Sequence, residues 1–223
     1  MYQELVLNND PKSIISEIIR TLRTNLQFAS VDKKIKTILI TSSVPGEGKS
    51  FIAANLACAF AQSGSRVLLV DCDIRKGRQH YIFNSHNKSG LSNLLLENVK
   101  EKYMDYIQET RIKNLSVMFR GVTPPNPSEL LGSSKNKELI EILRNEYDIV
   151  IFDSAPINGG LTDSIIMSTL VDGVVVVSSC KETPISLLNN TKKSLQNVNA
   201  NILGVVLNRA SSKSKKYYGH YYG

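Results

Sequence analysis

The sequence predicts an α/β fold: a mostly parallel central sheet flanked by helices on both faces. Two observations carry that prediction. Short apolar runs at 35–40, 66–71, 147–153, 172–178 and 201–207 alternate with helical patterns, the spacing of parallel strands joined by crossover helices. Between the first run and the first crossover helix lies TSSVPGEGKS at 41–50, a glycine loop in the strand–loop–helix setting that binds phosphate. At 223 residues and 42% hydrophobic content, the chain suits one such domain, expected over 1–208, followed by a separate tail at 209–223.

Asp10 and Pro11 read as an N-cap followed by proline at the first helical position. The helix expected over 11–30 places Ile14, Ile15, Ile18, Ile19, Leu22 and Leu26 on one apolar face, with Glu17, Arg20 and Arg23 at steps of three along a polar flank. The run at 35–40 is apolar on both sides, as a central strand must be when helices cover it twice. A helix over 51–62 follows the loop and ends at Gly64. The second strand, 66–71, ends in Asp71, and Asp73 lies two residues on. Short helices are expected at 91–97 and 101–109, a strand at 114–119, and a loop at 121–127, where three prolines cannot donate to a ladder. A helix at 135–146 leads to the strand that ends in Asp153. The last two strands flank a helix at 184–198.

Cys58, Cys72 and Cys180 are widely spaced and odd in number, so they suggest neither a disulfide framework nor a zinc site, and they fit a reducing cytosol. No apolar run approaches the roughly 20 residues of a membrane span, so a soluble protein is expected. Four of the seven excess positive charges, Arg209, Lys213, Lys215 and Lys216, fall in the tail without an acid, which makes a basic end a simpler description than a nucleic-acid surface. The tail also holds Tyr217, Tyr218, Tyr221 and Tyr222, four of the nine tyrosines, and lacks the apolar periodicity that would order it.

These residues are the parts of Mg²⁺-dependent phosphoryl transfer. Backbone N–H groups of Pro45-to-Phe51, excepting proline, surround a nucleotide's phosphates, with Gly46 and Gly48 permitting close approach; Glu47 lies between them. Lys49 reaches the β and γ oxygens, and the Ser50 hydroxyl ligates Mg²⁺. The carboxylates of Asp71, Asp73 and Asp153 stand at the sheet end where open α/β folds bind ligands. Two acidic groups beside a polyphosphate are unfavourable unless a cation lies between them. The acceptor is either water or a side-chain hydroxyl. A tyrosine, with its pKa about 10, is helped by a carboxylate that takes its proton.

The sequence resembles the bacterial tyrosine kinases, the autokinases of capsular and exopolysaccharide biosynthesis. The resemblance rests on Glu17-x-x-Arg20-x-x-Arg23, the loop 42–50, VLLVDCDIR at 67–75, the proline-rich 121–131, the segment 148–156 and the tyrosine-rich end. It implies a P-loop NTPase-like fold similar to partitioning and cell-division ATPases, with ATP and Mg²⁺ as cofactors. Lys49 and Ser50 would belong to the Walker A motif, Asp71 and Asp73 to a second motif called A′, and Asp153 to Walker B. Lys49, Asp71 and Asp73 would be catalytic, either aspartate serving as base. Ser50, Asp71 and Asp153 would hold the metal, and Asn208 would contact the adenine.

The resemblance further implies that Glu17, Arg20 and Arg23 join subunits into a ring, each tail being phosphorylated in a neighbour's site. A membrane-spanning polysaccharide co-polymerase would act as partner, drawing a cytoplasmic protein to the inner face of the membrane; nucleic acid is not an expected partner. Lys76 and Gly77 follow Arg75 where many relatives carry arginine and proline. The first glycine of the phosphate-loop pattern is replaced by Ser43. The rival readings are a partitioning-type switch ATPase, which would carry a signature lysine where this chain has Val44, and a nucleotide-sensing scaffold.

Overall fold

Strands that are apolar on both faces must be covered on both faces, and the computed structural model shows how the chain does this. It describes residues 4–29, 35–158, 160–180 and 182–210; the four tail tyrosines lie outside them. Seven strands, β1 (Thr37–Ser42), β2 (Val67–Asp71), β3 (Gln108–Glu109), β4 (Leu115–Met118), β5 (Ile149–Asp153), β6 (Gly173–Ser179) and β7 (Ile202–Asn208), form one sheet in the order β3-β4-β2-β5-β1-β6-β7. All neighbours run parallel except β3 against β4.

Successive strand residues point to opposite faces, and the core divides accordingly. Ile38, Ile40, Val67, Leu69, Ile151, Val175 and Val177 pack beneath α1 (Val6–Asn9), α2 (Ile14–Phe28), α3 (Lys49–Gln62) and α4 (Gln79–Ile82). Leu39, Leu68, Val70, Val150, Phe152, Val174 and Val176 pack against α5 (Leu91–Leu94), α6 (Val99–Lys102), α7 (Pro127–Gly132), α8 (Ser134–Glu146), α9 (Asp163–Ser168) and α10 (Ile185–Asn197). Helix α3 lies between the sheet and the outer helices, so every residue from Ile52 to Ala61 is buried. That explains its lack of a polar stripe.

The register sets the site. Asp71 at the end of β2 stands directly beside Asp153 at the end of β5, and Asp153 stands beside Ile40 of β1, just before the phosphate loop. Three adjacent strands therefore deliver their C-terminal ends to one place.

Several local readings are corrected. Ser13, not Asp10, caps α2, its hydroxyl accepting from the Ser16 N–H at 3.2 Å. The segment 101–109 is not one helix: after α6, a single 3₁₀ turn at Tyr103–Tyr106 gives way to β3, which pairs antiparallel with β4 and covers the sheet edge. Pro127 leaves the loop to open α7, where its missing N–H has no helical partner to lose. The short helices α1, α4, α7 and α9 have too few residues to show a period in the sequence.

The apolar stripe of α2 is only half used. Ile19 and Leu26 are buried, but Ile14, Ile15 and Ile18 are 57%, 49% and 48% exposed.

The far end of the sheet is held by Asp172. Its Oδ2 accepts from the N–H groups of Lys36 and Thr37 and from the Thr37 hydroxyl, each at 2.9 Å, while Oδ1 meets Arg144 at 3.0 Å. Burial alone would raise this carboxyl. The donors outweigh it and hold its pKa below the ordinary carboxylate value. A depressed folded pKa gives stability that is present above the unfolded value, about 4, and is lost as pH falls through the lower folded value. Asp172→Asn should therefore lower the unfolding free energy by about 1–3 kcal/mol at pH 7. That deficit should shrink as the pH falls below about 4, which denaturant unfolding at pH 7 and pH 3 would measure.

Candidate active site

The loop after β1 must present its N–H groups toward one point, and two glycines permit it. Gly46 and Gly48 have φ of +87° and +92°, the left-handed region in which a side chain is strained. Gly48 also passes so close to Asn208 that a Cβ would collide with the Asn208 amide. From β7, Asn208 Nδ2 donates to the Glu47 carbonyl at 2.9 Å and buttresses the loop.

Glu47 pins the same loop from inside. Its side chain is buried and accepts from Val44 N at 2.7 Å, from Ser179 N at 3.0 Å and from the Thr183 hydroxyl. Ser43, where the pattern wants glycine, is fully buried and bonds Thr191 of α10 at 2.9 Å. The departure thus adds a tether to the loop instead of breaking it.

Lys49 opens α3 and faces the strand ends. Its Nζ lies 3.1 Å from Asp73 Oδ2, 3.4 Å from Ser50 Oγ and 3.7 Å from Asp153 Oδ1. Burial alone would lower its pKa, but Asp153 and Asp73 outweigh burial and raise it, so the lysine stays charged. Asp71 and Asp153 are fully buried side by side. Burial raises both carboxyls; proximity to Asp153 raises Asp71 further, while Lys49 and Ser50 oppose the rise at Asp153.

A cavity of 570 Å³ opens at Lys49 and Asp73. Pro45, Gly46, Gly48, Lys49, Ser50, Phe51 and Asp73 form one side, with Arg75, Lys76, Arg78, Asn208 and Arg209 around it. It thus places phosphate-loop donors and five further polar or cationic side chains around one space of nucleotide size.

The residues also fit a divalent cation. Asp71 Oδ1 and Asp153 Oδ1 are buried oxygens with no hydrogen-bond donor among the described residues, and Asp153 lies beside the Ser50 hydroxyl. Among the described residues no cluster of three or more His, Cys, Asp or Glu side chains forms a self-sufficient metal cage. That suits Mg²⁺, which typically takes one or two carboxylates and completes its shell with phosphate and water.

An AAA domain family model matches residues 35–204. The chain is 41% identical over 98% of its length to the putative tyrosine-protein kinase CapB of Staphylococcus aureus, covering 95% of that protein. It is also 41% identical to tyrosine-protein kinase YwqD of Bacillus subtilis, covering 92%. It belongs to the bacterial tyrosine-protein kinases. A crystal structure of the chimerical protein CapA2B2 superposes with a TM-score of 0.88 at 43% identity, covering 94% of this chain and 91% of that one. Against tyrosine-protein kinase wzc of Salmonella typhimurium the identity is 36%, but the chain spans only 30% of that longer protein.

Set against the sequence reading, the structure brings Lys49, Ser50, Asp71, Asp73 and Asp153 of this kinase-family chain together. Glu47 lies in the loop, but its carboxylate is turned inward and holds the loop in shape. Glu17, Arg20 and Arg23 sit elsewhere, on α2. Arg20 bonds Glu17 at 2.5 Å and the Pro11 carbonyl at 2.9 Å, and Arg23 reaches the Ala59 carbonyl at 3.3 Å.

Sequence reasoning missed two residues. Asp163 holds Arg75 Nε at 2.7 Å and the Ser128 hydroxyl at 2.5 Å, tying the segment after β2 to α7 and α9. Gln79 lies among the carboxylates, donating to Asp153 and Asp71. Neither carries a motif; only the fold brings them in.

Glu47→Gln keeps the side-chain volume but puts an amide NH₂, a donor, where an acceptor is needed. It should leave the chain folded and weaken ATP binding about tenfold, equal to about 1.4 kcal/mol. Calorimetric titration beside a thermal melt would check this.

Proposed function

We propose that this chain is a protein-tyrosine autokinase that moves the γ-phosphoryl group of ATP to Tyr217, Tyr218, Tyr221 and Tyr222 of a neighbouring copy. The observation that carries the reading is Lys49 held among Asp71, Asp73 and Asp153 on the wall of the cavity. The reading is supported by where the chain leaves the described fold. Asn208 and Arg209 line the cavity, and Arg209 is fixed to Glu182 at 2.8 Å, so the tail begins at the cavity's edge.

In this reading the phosphate loop from Pro45 to Phe51 binds the triphosphate through its backbone, and Asn208 borders the nucleotide. Lys49 exchanges its contact with Asp73 for the transferring phosphoryl group, whose charge it neutralises. Asp73 lines the cavity, so it meets the incoming tyrosine and takes the phenolic proton as the new O–P bond forms and ADP leaves. Asp71 lies deeper and, with Ser50 and Asp153, would hold Mg²⁺, which would supply neutralising charge to the phosphates.

The ring contact is assigned to α2. Ile14, Ile15 and Ile18 are exposed on it beside Glu17 and Arg20, an apolar patch with charges at its edge. Phosphorylating the tail adds about −1.5 to −2 charge per tyrosine, and the resulting repulsion loosens the assembly. No helix among the described residues is long and apolar enough to cross a membrane. Since wzc is more than three times as long as the matched region, a membrane-spanning co-polymerase is proposed as separate activator, recruiting the kinase to the inner membrane face during capsule or exopolysaccharide synthesis.

The test mixes two variants with Mg-ATP and the activator's cytoplasmic segment: Lys49→Met with its tail intact, and an otherwise unchanged chain whose tail tyrosines are all phenylalanine. Peptide mass mapping should find phosphate on the tail of the Lys49→Met copy only in the mixture, and none when that copy is alone. ATP hydrolysis without phosphate on any tail would instead make the protein a switch ATPase.

A further inference from the structure

Gln79 is fully buried at the first residue of α4, among the groups on the cation side of the site. Its backbone N–H donates to Asp71 Oδ2 at 3.1 Å. Its side-chain Nε2 donates to Asp153 Oδ2 at 2.8 Å and to the Ser50 carbonyl at 3.1 Å. One residue thus fixes one oxygen of each buried carboxylate and the backbone of the serine beside them. In both carboxylates the other oxygen, Oδ1, has no hydrogen-bond donor among the described residues, that of Asp153 facing Lys49 at 3.7 Å, and Gln79 Oε1 has none either.

The chain reaches this position through Gly77. A Cβ there would collide with the Asp71 carboxylate, so only glycine lets the backbone pass close enough to bring Gln79 in. The chemistry of an amide also matters. A lysine or arginine at this place would neutralise the carboxylates and compete with a cation, whereas a third carboxylate would repel them. A neutral donor fixes their direction and leaves their charge available.

We propose that Gln79 is a positioning residue for the divalent cation, fixing Asp71, Asp153 and the Ser50 backbone, the groups that would hold it. This rests on the phosphoryl-transfer reading of the site, but it concerns binding and is separable from what the tail accepts. The partners that orient metal ligands typically contribute 10- to 100-fold in metal affinity.

The experiment titrates ADP into the full chain and into Gln79→Met, which keeps the length without a donor, each in Mg²⁺ and in EDTA, with unfolding followed in parallel. Affinity in EDTA should stay within about twofold of the unchanged chain, while the gain produced by Mg²⁺ falls about tenfold or more. Gly77→Ala should lose the same Mg²⁺-linked gain by pushing Asp71 aside. Equal losses with and without Mg²⁺, or no loss, would overturn the proposal.

A second measurement on the unchanged chain covers the case in which these variants do not fold. The two Gln79 side-chain amide protons should exchange slowly with solvent, and their resonances should move with Mg-ADP but not with ADP in EDTA. Fast exchange, or equal movement in both, would overturn it. Should the Mg²⁺-linked loss appear while no tyrosine is ever phosphorylated, the positioning role stands and the kinase reading falls.

Discussion

The structure depends on burying more negative charge than it buries positive. Asp71 and Asp153 are fully inside, Asp73 almost so, and among the described residues Lys49 is the cation paired with Asp73 and Asp153. Isolated buried carboxylates are costly enough to take up protons instead, and burial does raise both members of the Asp71–Asp153 pair. A bound divalent cation would relieve that imbalance. The same imbalance explains why the surrounding loops are so heavily tethered. If the phosphate loop were free to move, the lysine would not stay among its acids, and the acids would repel one another out of register.

Three tethers hold that loop, each from a different part of the chain. Asn208 reaches it from β7, Glu47 ties it to the segment after β6, and Ser43 ties it to α10 through Thr191. Asn208 precedes Arg209, which is paired to Glu182, and Glu182 is bonded by the Ser179 hydroxyl. The start of the tail and the back of the phosphate loop are therefore joined through a few hydrogen bonds. A change in loop shape when phosphate enters would be felt where the tail begins.

Legibility in the sequence followed the range of the physics. The buried strands were readable because parallel strands covered twice must be apolar throughout, and 172–178 needed no neighbour to reveal itself. The phosphate loop was readable because positive φ and close approach restrict Gly46 and Gly48. Strand ends carrying Asp71 and Asp153 were readable from the same runs. The antiparallel β3 was not, because two residues have no period and its pairing with β4 is a tertiary choice. Nor was Gln79, since a lone glutamine after a basic turn looks like surface, and only the passage of Gly77 past Asp71 carries it inside.

The isoleucines of α2 show where a correct pattern gives an incomplete answer. Periodicity put six apolar residues on one face, and a helix with such a face must cover it. Within the chain, α3 covers Ile19 and Leu26 but leaves Ile14, Ile15 and Ile18 in water. Each of the three is already about half covered, so burying the rest would contribute on the order of 1 kcal/mol each, enough to favour a partner on that part of the helix. Glu17 and Arg20 are bonded to each other at the border of that patch. Such a surface ion pair contributes about 0.2–1 kcal/mol on its own, so it can exchange its partner for one on another chain at little cost. The apolar patch would then supply the affinity and the charges the register.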